Sequence, residues 1–476
     1  MKSRRAARWL ALAVVLAAAP SVAGTTRPDA GAAARSAGVS VEGAWTGALQ
    51  LGPVRLRLVL NLRRAPAGWS ATLDSIDQNA RDIPASAVTL QGQELNVEVA
   101  AIGGHYAAHL DGDTLNGNWT QGGRTLPLVL HKTDKPPVAN RPQEPKPPLP
   151  YAQIELSVEN PAAKVRLACS LTEPRGAGPF PAAVLLTGSG PQDRDETIMS
   201  HRPFLVLSDA LTRGGVAVLR CDDRGFGHST GVFATATTLD FADDALAAVR
   251  ALRARPEIAA RHIGLVGHSE GAEIAAIAAT KSRDVAFVVL LAGPGLPGDQ
   301  TLDLQRAWLE KADGLSDQAI AASKANWDRA FAILKSDRDE ATARKDLRAL
   351  YDGLPAADRA GIDRQGGFDA LVQPLLSPWM RGFLRLDPRA FLSRLRVPVL
   401  ALTGERDVQV LPAPNLAAMK KALRQNRDAT VREMPGLNHL FQHARTGAVS
   451  EYGEIEETMS PEVLELVTGW IRRHAQ

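Results

Sequence analysis

Ile263-Gly-Leu-Val-Gly267-His268-Ser269-Glu270-Gly271 is the segment of this chain with the clearest capacity for chemistry. A short aliphatic run leads into Gly-x-Ser-x-Gly, and an Ala-rich run of helical character follows. A serine on a sharp turn between a strand and a helix exposes its hydroxyl as a nucleophile. Gly267 and Gly271 supply the absent side chains that such a turn needs, because a Cβ there would clash with the neighbouring strand or helix. A second match, Gly227-His228-Ser229-Thr230-Gly231, lacks that setting. Its preceding strand-like run ends at Cys221, the loop Asp222–Gly227 intervenes, and the β-branched residues after it start a helix poorly. Ser229 therefore reads as a loop serine bonded to nearby backbone.

A serine nucleophile needs a base within hydrogen-bond reach and a third group to orient that base. The expected order along the chain is serine, acid, histidine. Val397–Thr403 reads as a strand and Gly404-Glu-Arg-Asp407 follows it, so Asp407 is the candidate acid and Glu405 the fallback. Of the histidines after Asp407, His439 directly follows Pro435-Gly-Leu-Asn438 beyond a strand at 429–434, and it is favoured over His443 and His474. Ser269 would attack a carbonyl, His439 would take and return the proton, and Asp407 would hold the imidazole. The oxyanion donors expected are the backbone N–H groups of Glu270 and of Ser189, the latter in Thr187-Gly-Ser-Gly-Pro191. This chemistry needs no cofactor and no metal.

The elements that must position these residues follow from periodicity. Beyond residue 150, strand candidates fall at 151–157, 164–171, 182–187, 216–221, 262–267, 285–292, 397–403 and 429–434. Helical patterns fall near 202–213, 239–254, 270–281, 413–424 and 461–474. Runs such as Phe287-Val-Val-Leu-Leu291 are apolar throughout, as strands covered on both faces are. This predicts an α/β domain with a mostly parallel sheet, interrupted at 296–390 by a charged, helical insertion that reads as a cap. Between 40 and 132 the pattern alternates instead, with leucines at 56, 58, 60 and 62, which predicts a small antiparallel sheet or barrel. Its Trp45, Trp69 and Trp119 read as core, with sugar stacking the alternative. His105 and His109 share one strand face without a third ligand, so no metal site is read there. Seven prolines in 136–150 predict an extended, semi-stiff linker.

Residues 1–23 carry the marks of an export signal: Lys2, Arg4, Arg5 and Arg8, an apolar run from Trp9 to Ala19, and small residues at 21–23. That run is shorter than the roughly 20 residues a membrane span needs. The expected location is periplasmic or secreted, without a membrane span in the mature chain. Removing the signal leaves 51 basic against 52 acidic residues, so nothing points to nucleic acid as a partner. Cys169 and Cys221 are the only cysteines, and two buried free thiols are the expectation.

Residues 151–476 resemble the α/β-hydrolase superfamily, with a likeness to bacterial EstD-type carboxylesterases, kin to dienelactone hydrolases and serine aminopeptidases. Thr187–Asp195, Asp223–Ser229, the Ser269 turn and Leu437–Gln442 carry it, continued by Tyr452, Ile455–Thr458 and Ser460–Leu464. The resemblance implies the roles just given for Ser269, Asp407 and His439, a structural role for Asp223-Arg224-Gly225, and an extra N-terminal domain. It implies an esterase acting on small-molecule esters through an acyl-enzyme. A peptidase or amidase with the same triad is the nearest alternative. A glycan- or wall-binding protein with a vestigial hydrolase body is the alternative of another class.

Overall fold

The computed structural model describes residues 41–475 apart from 52–53, 66–67, 79, 138 and 364–365, so the signal segment and residues 24–39 lie outside the described residues. The alternating leucines build the first sheet. In β2 (Val54–Ala65), Leu56, Leu58, Leu60 and Leu62 are all buried on one face. β2 lies in a nine-stranded antiparallel sheet with the order β4-β3-β2-β1-β9-β8-β7-β6-β5. These strands run from β1 (Gly43–Leu51) to β9 (Arg124–Thr133). Trp45 and Trp119 are enclosed in its core, while half-exposed Trp69 lies under the Arg64 guanidinium, 4.4 Å from the ring centroid. His109 pairs with Glu94 at 2.6 Å and His105 with Glu98 at 3.6 Å.

The second sheet has eight strands in the order β10-β11-β13-β12-β14-β15-β16-β17, from β10 (Ala152–Asn160) to β17 (Ala429–Met434). The pairs β10–β11 and β11–β13 are antiparallel and the rest are parallel. The apolar runs form its centre: β12 (Phe180–Leu186), β14 (Ile258–His268), β15 (Val288–Leu291) and β16 (Val399–Gly404). Helices cover both faces. α1 (Pro203–Arg213) packs on one face, and α2 (Thr238–Arg253) and α3 (Glu270–Lys281) pack on the other. Between β15 and β16, seven helices among the described residues run from α4 (Gly298–Ala312) to α10 (Arg389–Leu392) and enclose their own apolar cluster. α11 (Pro412–Ala422) and α12 (Pro461–His474) complete the layers.

Two expectations change. The cysteines are not free: Cys169 in β11 (Val165–Glu173) stands directly opposite Cys221 in β13 (Ala217–Cys221), and the two form a disulfide. Sequence separation hid this, because the register of two strands 52 residues apart is a tertiary property. The Pro-rich linker is also no free spacer. Arg141 donates to the carbonyls of Met199, Ser200, Gly453 and Ile455, Gln143 to that of Met459, and Glu144 pairs with Arg202. The linker turns at 141–144, where the Glu144 N–H bonds the Arg141 carbonyl, and the polar residues between the prolines bond it to the catalytic body. Alkylation of the denatured protein is expected to leave both cysteines unmodified unless a reductant is added first, as read by intact mass.

Candidate active site

The turn after β14 carries the nucleophile candidate. Ser269 has φ 54° and ψ −120°, a conformation rare for a residue with a side chain. Its N–H donates to the Leu291 carbonyl at 2.8 Å, which ties the turn to β15. A Cβ on Gly267 would lie 1.9 Å from the Gly271 carbonyl oxygen, and one on Gly271 would lie 2.0 Å from that of Leu186. The flanking glycines are thus a steric requirement of strand, turn and helix meeting within one residue. Ser269 itself keeps some exposed surface while its neighbours on both sides are buried.

Asp407 and His439 come together from separate loops. Asp407 Oδ1 accepts from the N–H groups of Gln409 and Val410 at 2.9 and 2.8 Å, and Oδ2 lies 2.7 Å from His439 Nδ1. With both carboxylate oxygens accepting, Nδ1 carries the proton and Nε2 is left as the basic nitrogen. His439 is held against the serine turn, because His268 Nε2 donates to its carbonyl at 2.9 Å and the two rings are 4.8 Å apart. The fallback residues are engaged elsewhere. Glu405 is exposed and accepts from Gly436 N–H at 2.7 Å. His443 pairs with Glu457, and His474 stacks on Trp470. Ser229 accepts from Ala168 N–H and donates to the Asp222 carbonyl, both at 2.8 Å, the backbone-bonding role read from its loop.

The oxyanion loop is bound by carboxylates. Asp223 accepts from Thr187 Oγ1 at 2.8 Å and Gln192 N–H at 2.9 Å. Glu196 Oε1 accepts from Gly188 N–H at 2.8 Å. Among the described residues nothing accepts the next N–H, that of Ser189. Glu270 opens α3, where first-turn N–H groups have no partner inside the helix. The two amides expected as oxyanion donors are therefore both uncommitted. A Cβ on Gly188 would lie 3.2 Å from Ser269 Cβ, so the loop runs directly against the serine. A cavity of about 50 Å³ lined in part by Thr187, Gly188, Phe233, Phe241 and Ile274 adjoins this loop.

Sequence reading missed four members of the site, His268, Glu196, Trp379 and Thr238. His268 Nδ1 lies 2.8 Å from Glu196 Oε1, which already accepts from Gly188, and His268 Nε2 faces a carbonyl. If Glu196 acts as acceptor only, both ring nitrogens carry protons and His268 is an imidazolium paired with a carboxylate. Burial works against that charge, but the adjoining Glu196 carboxylate, the His439 carbonyl and Asp407 hold the His268 pKa above its ordinary value. Trp379, from cap helix α9 (Pro378–Arg385), donates to both oxygens of Glu270 at 2.8 and 2.9 Å, and Thr238 donates to one at 2.7 Å. Burial pushes the Glu270 carboxyl up, against the pull of these donors and of Ser189. The one available signal was position: His268 fills a variable place inside Gly-x-Ser-x-Gly, and Glu196 directly follows the Thr187–Asp195 segment.

The chain belongs to the alpha/beta hydrolase family, whose model matches residues 183–451. It is similar to Esterase EstD of Thermotoga maritima, 28% identical over 271 residues, 57% of each chain. The match thus spans little more than half of that relative's length. Among solved structures, an esterase of Pyrococcus furiosus aligns with a TM-score of 0.41 at 16% identity, over 70% of this chain and 97% of its own. The esterase Est1E of Butyrivibrio proteoclasticus, solved with ferulic acid, aligns at 0.38 and 18%, over 67% and 96%. Likenesses this distant carry no inference about the chemistry.

Two measurements check the site. Gly271→Ala is expected to destabilise the protein by about 3 kcal/mol or more, read from urea denaturation, because the clash is with backbone that cannot yield. Glu273, buried on α3 with both oxygens unpartnered, has its pKa raised well above the usual range by burial, then by Glu270 and Asp387. A carboxyl raised on folding binds more protons in the native state, so stability falls as pH climbs from the unfolded toward the folded value. Melting temperatures between pH 5 and 8 are therefore expected to fall less in Glu273→Gln than in the unsubstituted protein.

Proposed function

We propose that this chain is an exported serine hydrolase that cleaves small carboxylic esters through Ser269, His439 and Asp407. The observation that carries the reading is the strained serine at the strand–helix turn together with His439, which is bonded through its carbonyl to the serine's neighbour His268 and whose own Nδ1 is held at 2.7 Å by a backbone-anchored carboxylate. Similarity to a named esterase supports the ester as the bond cleaved. In the proposed reaction Ser269 Oγ attacks the acyl carbon while His439 Nε2 takes its proton. The carbonyl oxygen becomes an oxyanion received by the N–H groups of Ser189 and Glu270. Collapse expels the alkoxide, which leaves as the alcohol with the proton from His439. Water then attacks the acyl-enzyme by the same route in reverse and releases the acid.

The peptidase alternative needs an acidic group free to hold a substrate amine. Glu270 is the acid adjoining the serine, and its oxygens are already engaged by Thr238 and Trp379, which favours the esterase. The glycan-binding alternative needs exposed aromatic faces, whereas Trp45 and Trp119 are buried and the half-exposed Trp69 has a ring face covered by Arg64. Export is supported by the basic and apolar start of the chain and by the Cys169–Cys221 bridge, since disulfides persist in oxidising compartments.

Hydrolysis of p-nitrophenyl acyl esters compared with aminoacyl p-nitroanilides tests the assignment. Esters are expected to turn over and the anilides are not. Turnover of anilides alone would replace the esterase reading by the peptidase one. Ser269→Ala is expected to lower kcat by about 10⁶. Ser229→Ala is expected to keep kcat and to lose about 1 kcal/mol of stability with its backbone bonds.

A further inference from the structure

The segment Glu196–His201 has an unusual backbone. Glu196, Met199 and Ser200 have φ of 54°, 49° and 62°, and none is a glycine. Residues persist in this region only when their surroundings over-determine them. The surroundings come from two sides. At the inner end, Glu196 binds the Gly188 N–H and the His268 imidazolium, and His268 in turn holds the His439 carbonyl. At the outer end, the hold comes from the N-terminal domain and its linker. Ser200 Oγ donates to the Ile76 carbonyl, Met199 packs on the β-domain core, and Arg141 donates to the Met199 and Ser200 carbonyls at 2.8 and 3.3 Å. His201, fully buried, continues the connection to Thr458, to the Tyr452 carbonyl and to Gln442 at 2.9, 2.8 and 3.0 Å. Tyr452 OH accepts from Gln409, whose own N–H binds Asp407.

We propose that the N-terminal β domain and its linker act as a positioning element for the esterase site, holding the strained segment that seats Glu196 beneath the oxyanion loop. This rests on the serine-hydrolase reading above. The mechanism lies in the Gly188–Ser189 backbone. Committing the Gly188 N–H to Glu196 orients that strand of loop and leaves the next amide for the substrate oxygen. Ile198 and His201 exchange backbone hydrogen bonds at 3.0 and 2.8 Å that close the Met199–Ser200 turn, so the outer anchors fix where that turn sits; without them it shifts and withdraws the Glu196 carboxylate from Gly188 and His268. Arg141 and Ser200 are positioning residues that touch no reacting atom.

The test is a mutant cycle in the full-length chain, with kcat and KM measured on p-nitrophenyl acetate and the rate of Ser269 labelling by a fluorophosphonate measured in parallel. Glu196→Gln is expected to lower kcat about 10²-fold, the loss typical of a disturbed oxyanion donor. Arg141→Ala is expected to lower kcat roughly 10-fold with KM within about twofold, a small misplacement of the donor rather than its loss. The double variant is expected to fall no further than Glu196→Gln alone, since both act along one path. Arg55→Ala, which removes an exposed ion pair with Glu454 at the same domain boundary, is expected to leave kcat unchanged. Melting temperatures check that each variant is folded, and Ser200→Ala replaces Arg141→Ala if the latter is not. Wild-type kcat in Arg141→Ala, a change in KM alone, or additive losses in the double variant would overturn the proposal. If the protein labels but hydrolyses no ester, the esterase reading fails while labelling rates still judge the positioning role. If it does neither, both fall.

Discussion

One backbone conformation constrains the rest of this structure: a non-glycine residue at φ 54°, ψ −120° where β14 ends and α3 begins. It persists because every neighbour has been fitted to it. Gly267 and Gly271 let strand and helix approach to distances no side chain allows, and Gly271 also presses on the Leu186 carbonyl at the end of β12. The parallel register sets Leu186 beside Gly267, so the oxyanion loop must leave the sheet next to the serine. Sheet order thus brings Ser269 and the Gly188–Ser189 backbone together. The serine's position at the head of α3 adds the first-turn amides, which a helix leaves open for an incoming negative charge.

Buried carboxylates hold the loops around that point by accepting main-chain N–H groups. Glu196 does this for Gly188, Asp223 for Gln192, Asp407 for Gln409 and Val410, and Glu451 for Thr446 and Gly447. Such charge-assisted bonds are short and directional, and they fix peptide planes that a side-chain hydroxyl would leave looser. The cost is electrostatic. Asp223 retains some exposed surface as a residue, yet its carboxyl is enclosed, and burial followed by Glu270 and Glu196 drives its pKa well up. Cations are placed to offset this. His268 faces Glu196, Arg194 pairs with Asp222 at 2.9 Å, and Arg224 with Asp244 at 2.6 Å. Of the four acceptors, Glu196 faces His268 and Asp407 faces His439, whereas Asp223 is held by the Thr187 hydroxyl and the Gln192 amide and burial drives it toward its neutral form.

The parts of this arrangement that sequence could show are those encoded locally. Strands β12, β14 and β15 were legible because apolar runs of that length have few alternatives in an α/β chain. The Ser269 turn was legible because glycine spacing, strand and helix are contiguous. Asp407 and His439 were legible from their places after strands, and it takes the structure to show their 2.7 Å contact. What stayed hidden is encoded by register and docking. Cys169 and Cys221 meet through strand pairing, and Arg141 reads as one charge in a proline-rich run although it donates to five carbonyls. Glu196 hid for another reason. Its role depends on a positive φ that no local residue type announces.

Glu270 joins the two demands that meet at the serine. Its N–H lies at the open end of α3 beside Ser269, and in the proposed reaction a full negative charge on its own side chain would oppose the oxyanion formed there. The carboxyl is instead drawn to Thr238 and to the cap residue Trp379, and burial raises its pKa. Burial lessens the charge on the carboxyl, while the two donors hold what charge remains turned toward them. The same bonds seat the cap on the first turn of α3, so closure of the site and suppression of that charge depend on one side chain. A cap that moved away would release Glu270 to water, lower its pKa and place a carboxylate beside the oxyanion donors.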